Sequence, residues 1–135
     1  MAVPFAACMA LIASLYNLPP RVLPSIHVVE GGQAGTVHTN RDGTEDLGYM
    51  QVNTRWLPAL SGYSGLPVAA VRQNLLIRPC FNIAAAGLIL RGYLDETRGN
   101  LLLAVGDYHS HTPQLNSDYQ HRVVNSALSL FASKG

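Results

Sequence analysis

The chain predicts an all-α fold carrying at most a minor hairpin. Three observations support this. Apolar residues recur at three- and four-residue spacing through most of the 135 positions, the period of a helix with one buried face. Proline and glycine fall where those runs begin and end. Helical periodicity vanishes only from Gly31 to Asp46, where "GGQAGTVHTNRDGTED" is turn chemistry. The length suits a single domain, residues 1–135, with one core.

The first helix is expected over residues 3–17, with Phe5, Cys8, Met9, Ile12, Leu15 and Tyr16 on its apolar face. "NLPP" breaks it, and Pro19-Pro20 suits the first turn of a second helix, where a missing N–H costs little. That helix runs to about Glu30 through Val22, Leu23, Ile26 and Val29, with Pro24 tightening or kinking its first turn. Asp42-Gly43 is a tight-turn dipeptide and fits a small hairpin. "LGYMQVN" then leads into a short helix around Thr54 to Leu60, and "SGYSG" is a loop. Pro67 opens a helix through Ile77. "RP" punctuates, and a long alanine-rich helix follows from Cys80 to Thr97, stopped at Gly99. "NLLLAVGDY" is a short helix and "HSHTP" a loop. The last helix is expected over Asn116 to Ala132, with Tyr119, Val123, Val124, Ala127, Leu128 and Phe131 as its inner stripe. The chain has no internal repeat, low-complexity segment or linker.

Composition excludes several classes. Charged residues are sparse and the formal net charge is +1, so the clustered basic face of a nucleic-acid binder is missing. No run approaches the ~18 apolar residues of a membrane span. The opening "MAVPFAACMALIASLY" is apolar but lacks a basic leader, and reads as the first helix of a mature domain. The two cysteines, Cys8 and Cys80, are either unrelated buried thiols or one disulfide formed in an oxidising compartment. A bridge would close a long loop, stabilising by ~4 kcal/mol in the chain-entropy picture.

The chemistry centres on Glu30. It follows Ile26 by four and Leu23 by seven, so it lies on the core-facing stripe. It also sits at the negative pole of its helix, which disfavours a second negative charge. A shielded glutamate there has its pKa pushed up from about 4.3 toward the range useful to a general acid at neutral pH. A solvated helix-end carboxylate is the plain alternative. Gly31-Gly32 lets backbone or ligand approach closely. Gln51, Asn53 and Tyr108 donate and accept without charge, which suits a sugar, and Met50 offers a flexible apolar surface. Asn53 has an ordinary alternative role as a helix cap. Asp42, Glu45 and Asp46 read as turn and loop hydrogen-bonding groups, since they lack the spacing of a calcium loop. The five histidines, including His109 and His111, lack a metal-site spacing. Trp56 reads as core or groove wall.

"VEGG", then "NRDGTEDLGYMQVNTRW", "CFNIAAAGLIL", "AVGDYHS" and "YQHRV", in that order, resemble the lytic transglycosylases of the SLT family, glycoside hydrolase family 23. The match is to the small VirB1-like and IagB-like members that accompany bacterial secretion and conjugation systems, and it covers Phe5 to about Val124. The resemblance implies a lysozyme-like fold and cleavage of the β-1,4 bond between N-acetylmuramic acid and N-acetylglucosamine in peptidoglycan, with 1,6-anhydro ends formed. It implies that Glu30 is the acid and base. Gly48, Met50, Gln51 and Asn53 would line the sugar groove, with Met50 in apolar contact. Tyr108 would be the tyrosine whose hydroxyl reaches the glutamate, and Tyr119 would flank it or simply pack. It further implies a Cys8–Cys80 disulfide and a periplasmic or secreted protein whose signal peptide has been removed. No cofactor or metal is expected. Peptidoglycan strands, and components of a secretion or conjugation apparatus, are the expected partners of a monomer. Two positions depart from the pattern: Gly31 stands where many members have serine, and His109 where asparagine is common.

Overall fold

The computed structural model describes residues 3–131. Among them the helices are α1 (Ala6–Leu15), α2 (Val22–Glu30), α3 (Leu57–Ser64), α4 (Val68–Ile77), α5 (Pro79–Glu96), α6 (Leu101–His109) and α7 (Pro113–Phe131). The strands are β1 (Val37–Thr39), β2 (Glu45–Leu47) and β3 (Val52–Asn53), and a 3-10 turn covers Thr54–Trp56. The fold is therefore mostly α, as expected, and consistent with a lysozyme-like arrangement. The hairpin is larger than the sequence suggested. A third strand joins it, giving an antiparallel sheet in the order β1-β2-β3, with Val37 opposite Leu47 and Leu47 opposite Val52.

Turn chemistry builds the hairpin. Asp42 accepts from the Thr44 backbone N–H at 2.9 Å and from its hydroxyl at 2.6 Å, while Gly43 takes φ +86°, a conformation that favours glycine. The second connection, Gly48–Gln51, is tighter and deeper. Gln51 N–H donates to Gly48 O at 3.1 Å. Gly48 has φ +69°, and a side chain there would run into the Leu75 carbonyl and the Asn82 amide.

Helix α5 runs through the core and buries nine residues, from Asn82 to Leu94. Leu23, Ile26, Leu47, Met50, Val71, Leu75, Ile83 and Leu90 pack together with no accessible surface. Each such side chain contributes roughly 1.5–3 kcal/mol by leaving water. Gly87 admits α1 closely, since a Cβ would meet the Ile12 side chain. Helices α4 and α5 meet at 110° across the Arg78-Pro79 junction. No single helix among the described residues is long and apolar enough to cross a membrane.

Cys8 and Cys80 form a disulfide with Cα atoms 5.6 Å apart, joining α1 to the start of α5 across 72 positions. Pro24 is buried in the first turn of α2, where its missing N–H breaks no helical bond.

Two apolar faces differ from expectation. On α1, Phe5 and Leu15 are 44% and 65% exposed, and Met9, Ile12 and Ala13 make the buried face. On α7, Val124 and Leu128 point outward, and the inner stripe is Asn116, Tyr119, Val123 and Ser126. Polar residues hold inner positions there because each is satisfied. Asn116 donates to Asp107 Oδ1 at 2.9 Å and Ser126 to Ser25 O at 2.9 Å. Hydrophobic periodicity alone does not register such pairs. The expected last residue of this helix, Ala132, lies outside the described residues.

Candidate active site

Glu30 is the last residue of α2. Gly31 follows in the left-handed conformation, φ +66°, and its N–H closes on His27 O at 2.8 Å. Nothing lies where a Gly31 side chain would go, so backbone conformation alone calls for glycine there. Gly32 answers a different demand. A side chain on it would strike the carbonyls of Gly48 and Tyr49, so its bareness lets the end of α2 press against the Gly48–Gln51 turn. The His27 ring stacks on Tyr49 at 3.8 Å, and its Nε2–H donates to Gly32 O at 2.9 Å. The helix end and the turn are thereby held together.

That turn is braced by a residue the sequence did not single out. Asn82 on α5 is fully buried. Its Oδ1 accepts from Met50 N–H at 2.7 Å, and its Nδ2 donates to Leu47 O and Leu75 O, each at 2.8 Å. One amide thus ties β2, the turn and the end of α4 to α5. The signal was present as a lone polar residue in the apolar run "CFNIAAAGLIL", but only its partners reveal its use.

A cleft of about 370 Å³ opens above this frame. Glu30, Asp46, Gln51, Asn53, Tyr108 and His109 line it, together with the β1–β2 loop from Asn40 to Thr44, and Arg55 and Trp56 on the far wall. Glu30 is half-buried, and its Oε2 accepts from the Tyr119 hydroxyl at 2.6 Å. Burial raises the Glu30 carboxyl above the ordinary glutamate range. The Tyr119 hydrogen bond draws it down, the Asp46 carboxylate pushes it up, and Arg122 and His38 draw it down. Tyr119 itself is displaced upward by burial and by the neighbouring Glu30 charge, so its phenol keeps its proton. His109 stacks on Tyr119 at 4.8 Å, and burial together with Arg122 lowers its basicity.

The expected residues divide into those on the cleft and those beneath it. Gln51 lines the cleft with its backbone at φ +55°, and its Nε2 donates to Gly48 O at 3.0 Å. A non-glycine residue in that conformation stores strain that surrounding contacts must offset. Asn53 also lines the cleft, and it caps the 3-10 turn by accepting from Arg55 N–H at 2.9 Å. Its Nδ2 holds Thr44 Oγ1 and Asp46 Oδ1, each at 3.0 Å. Tyr108 lines the cleft, but its hydroxyl donates to Met50 O at 2.9 Å rather than to Glu30. The hydroxyl that reaches the glutamate is Tyr119's. The groove contact expected of Met50 is not available, because its side chain is wholly inside the core. Gly48 is likewise buried and serves the turn's geometry. Within the acidic cluster, Asp42 holds its own turn, and Glu45 pairs with Arg72 at 2.7 Å. Asp46 also faces the cleft near Glu30, the place where a hydrolytic alternative would need a second carboxylate. Among the described residues no group of three or more His, Cys, Asp and Glu could hold a metal ion.

No family model matches this chain. It is 28% identical over 119 residues to the invasion protein IagB of Salmonella typhimurium, a match covering 87% of this chain and 71% of that protein. The invasion protein IagB of Salmonella typhi aligns over the same span at the same identity.

Proposed function

We propose that this protein is a peptidoglycan lytic transglycosylase in which Glu30 serves as both acid and base. The observation that carries the reading is the half-buried Glu30 carboxyl, held by the Tyr119 hydroxyl, in a cleft where the amides of Gln51 and Asn53 stand among the charged Arg41, Asp42, Asp46 and Arg55. A carboxyl pushed above its usual range retains its proton at a pH where ordinary glutamates have lost it.

In the first step Glu30 gives its proton to the glycosidic oxygen as the bond to muramic acid C1 breaks. The carboxylate left behind faces the positive charge developing at C1. In the second step the C6 hydroxyl of the same sugar attacks C1 and Glu30 takes the hydroxyl proton. The 1,6-anhydro ring closes, Glu30 is protonated again, and no water is consumed. One carboxyl therefore completes the cycle, where most glycoside hydrolases need a pair. The Tyr119 hydroxyl favours the carboxylate formed between the steps, and Gln51 and Asn53 are suited to hold the sugar's amide and hydroxyl groups.

Hydrolytic muramidase activity is the second reading, and Asp46 favours it, since this carboxylate faces the same cleft. Its Oδ1 is engaged by Asn53, and its Oδ2 lies 3.6 Å from His38 Nδ1, so it serves the wall rather than a free water. Mass analysis of digested sacculi separates the two. Anhydro-muramic ends support the transglycosylase, and reducing ends reject it. A glycan-binding assembly factor of low turnover is the remaining reading. Equal clearing of sacculi by wild-type and Glu30→Gln proteins would favour it.

The disulfide supports an oxidising compartment, the periplasm or the exterior. The similarity to invasion proteins supports a role in opening the wall locally for an envelope-spanning apparatus.

A further inference from the structure

Arg55 and Trp56 line the cleft and also a second, more open hollow of about 420 Å³, whose other walls are Tyr93, Glu96 and His111. The two spaces share a wall, and the 3-10 turn Thr54–Trp56 is the ridge between them. The hollow has an aromatic backing. Trp56 meets Tyr93 edge-on at 5.9 Å, and Tyr93 meets His111 edge-on at 5.4 Å. The Arg55 guanidinium lies 5.8 Å from the Trp56 ring centre, with its Nη2 3.4 Å from the Tyr93 hydroxyl.

Its walls carry both signs of charge. Arg55, Glu96 and His111 are all exposed. None of the ion pairs among the described residues uses Arg55 or Glu96. A guanidinium and a carboxylate thus face one hollow with no ion-pair partner among the described residues, over an aromatic wall. A neutral sugar has no use for that pair. A ligand bearing both a carboxylate and an ammonium group does, since the guanidinium fork matches a carboxylate and the Glu96 oxygens match an amine. The aromatic wall gives the short apolar side chains between those groups a surface to lie on.

We infer that this hollow binds the amino-acid side branch of the glycan polymer, with Arg55 taking a branch carboxylate and Glu96 a branch ammonium. The inference rests on the peptidoglycan reading for its substrate. The branch leaves the sugar chain sideways, so a site beyond the ridge, rather than along the floor beside Glu30, suits it. Exposed ion pairs contribute little each, so affinity for a free branch falls in the range of ~1 mM. The hollow would select which stretch of polymer is held, and it would take no part in bond cleavage.

The test is NMR titration of the whole protein with the free stem tetrapeptide L-Ala-γ-D-Glu-diaminopimelate-D-Ala, and separately with chitotetraose. The tetrapeptide is expected to shift the Trp56 indole and His111 ring signals. Glu96→Gln and His111→Ala are expected to weaken that binding by ~3-fold or more, while leaving cleavage of peptide-free glycan strands unchanged. Absence of shifts at ~10 mM tetrapeptide, well above the affinity expected, overturns the inference. So does a shift of the His111 ring signal with chitotetraose alone, which makes the hollow a sugar subsite, whereas Trp56 also lines the cleft. Binding is read without turnover, so the two readings fail separately. Tetrapeptide bound by a protein that leaves sacculi intact would reject the transglycosylase and keep the hollow. Cleaved sacculi with no tetrapeptide binding would do the reverse.

Discussion

The Tyr119 hydroxyl donates to Glu30 Oε2 at 2.6 Å, joining α7 to the end of α2 across 89 positions of sequence. This bond opposes the burial that raises the Glu30 pKa, because it favours the charged carboxylate. It also fixes which way the carboxyl faces.

Tyr119→Phe should therefore act in two separable ways. Without the donor, Glu30 holds its proton more tightly, so the alkaline limb of the kcat/KM profile moves to higher pH. At the optimum, loss of the orienting bond should lower turnover by about tenfold, the worth of roughly one hydrogen bond to a charged group. Asp46→Asn should move the same limb the other way, since the Asp46 charge pushes the Glu30 carboxyl up. A pH–rate profile of the three proteins on one glycan substrate checks both directions.

Glu30→Gln should remove activity by ~100–10,000-fold, the loss typical of a missing general acid, and yet stabilise the fold. The folded state holds the Glu30 proton more tightly than the unfolded chain does, so ionisation at neutral pH works against folding. That cost is absent below the ordinary glutamate pKa, appears as pH rises, and is complete above the raised folded-state value. The variant should thus melt higher than wild type near pH 7, with the gap closing as the pH falls from the raised folded-state value to the ordinary glutamate range and absent below it. Thermal melts across that interval read the sign directly.

Asn82→Ala should destabilise by on the order of 3 kcal/mol, because it strands the Met50 N–H and two buried carbonyls at once. The damage should appear at the cleft too, since Gln51 adjoins the released turn. Urea unfolding gives the first quantity, and KM for glycan strands gives the second.

Replacing both Cys8 and Cys80 by serine should cost about 4 kcal/mol, as loop-closure entropy predicts for a crosslink spanning 72 positions. The loss should match that seen when the wild-type protein is melted under reducing conditions.

Much of this structure was legible beforehand because the helices are punctuated. The prolines at 67 and 79 fall at helix starts and Gly99 just past the end of α5, and the Glu30 position followed from its phase on α2. The stretch "SGYSG", expected to be a loop, instead forms the last turn of α3, which runs to Ser64. The third strand was not legible. Val52 and Asn53 are too short a run to show alternation, and they pair with β2 only because the Gly48–Gln51 turn reverses the chain. The inner face of α7 was misjudged for a related reason. Asn116 and Ser126 are buried by partners on α6 and α2, and a hydropathy pattern cannot know of partners. Met50 and Tyr108 show the same limit at the site. The sequence brought both to the right neighbourhood, but the methionine faces the core, and the phenol that meets Glu30 comes from α7 instead.

The Glu30–Tyr119 pairing also carries a consequence for synthesis. A ribosome delivers residue 119 only after 89 further positions beyond residue 30, and domains acquire their packing only as the contributing segments emerge. Until α7 is out, the carboxyl has no phenol to hold it and no finished floor to shield it. The nascent chain is therefore chemically quiet until α7 has emerged, and the reactive arrangement arrives with that helix.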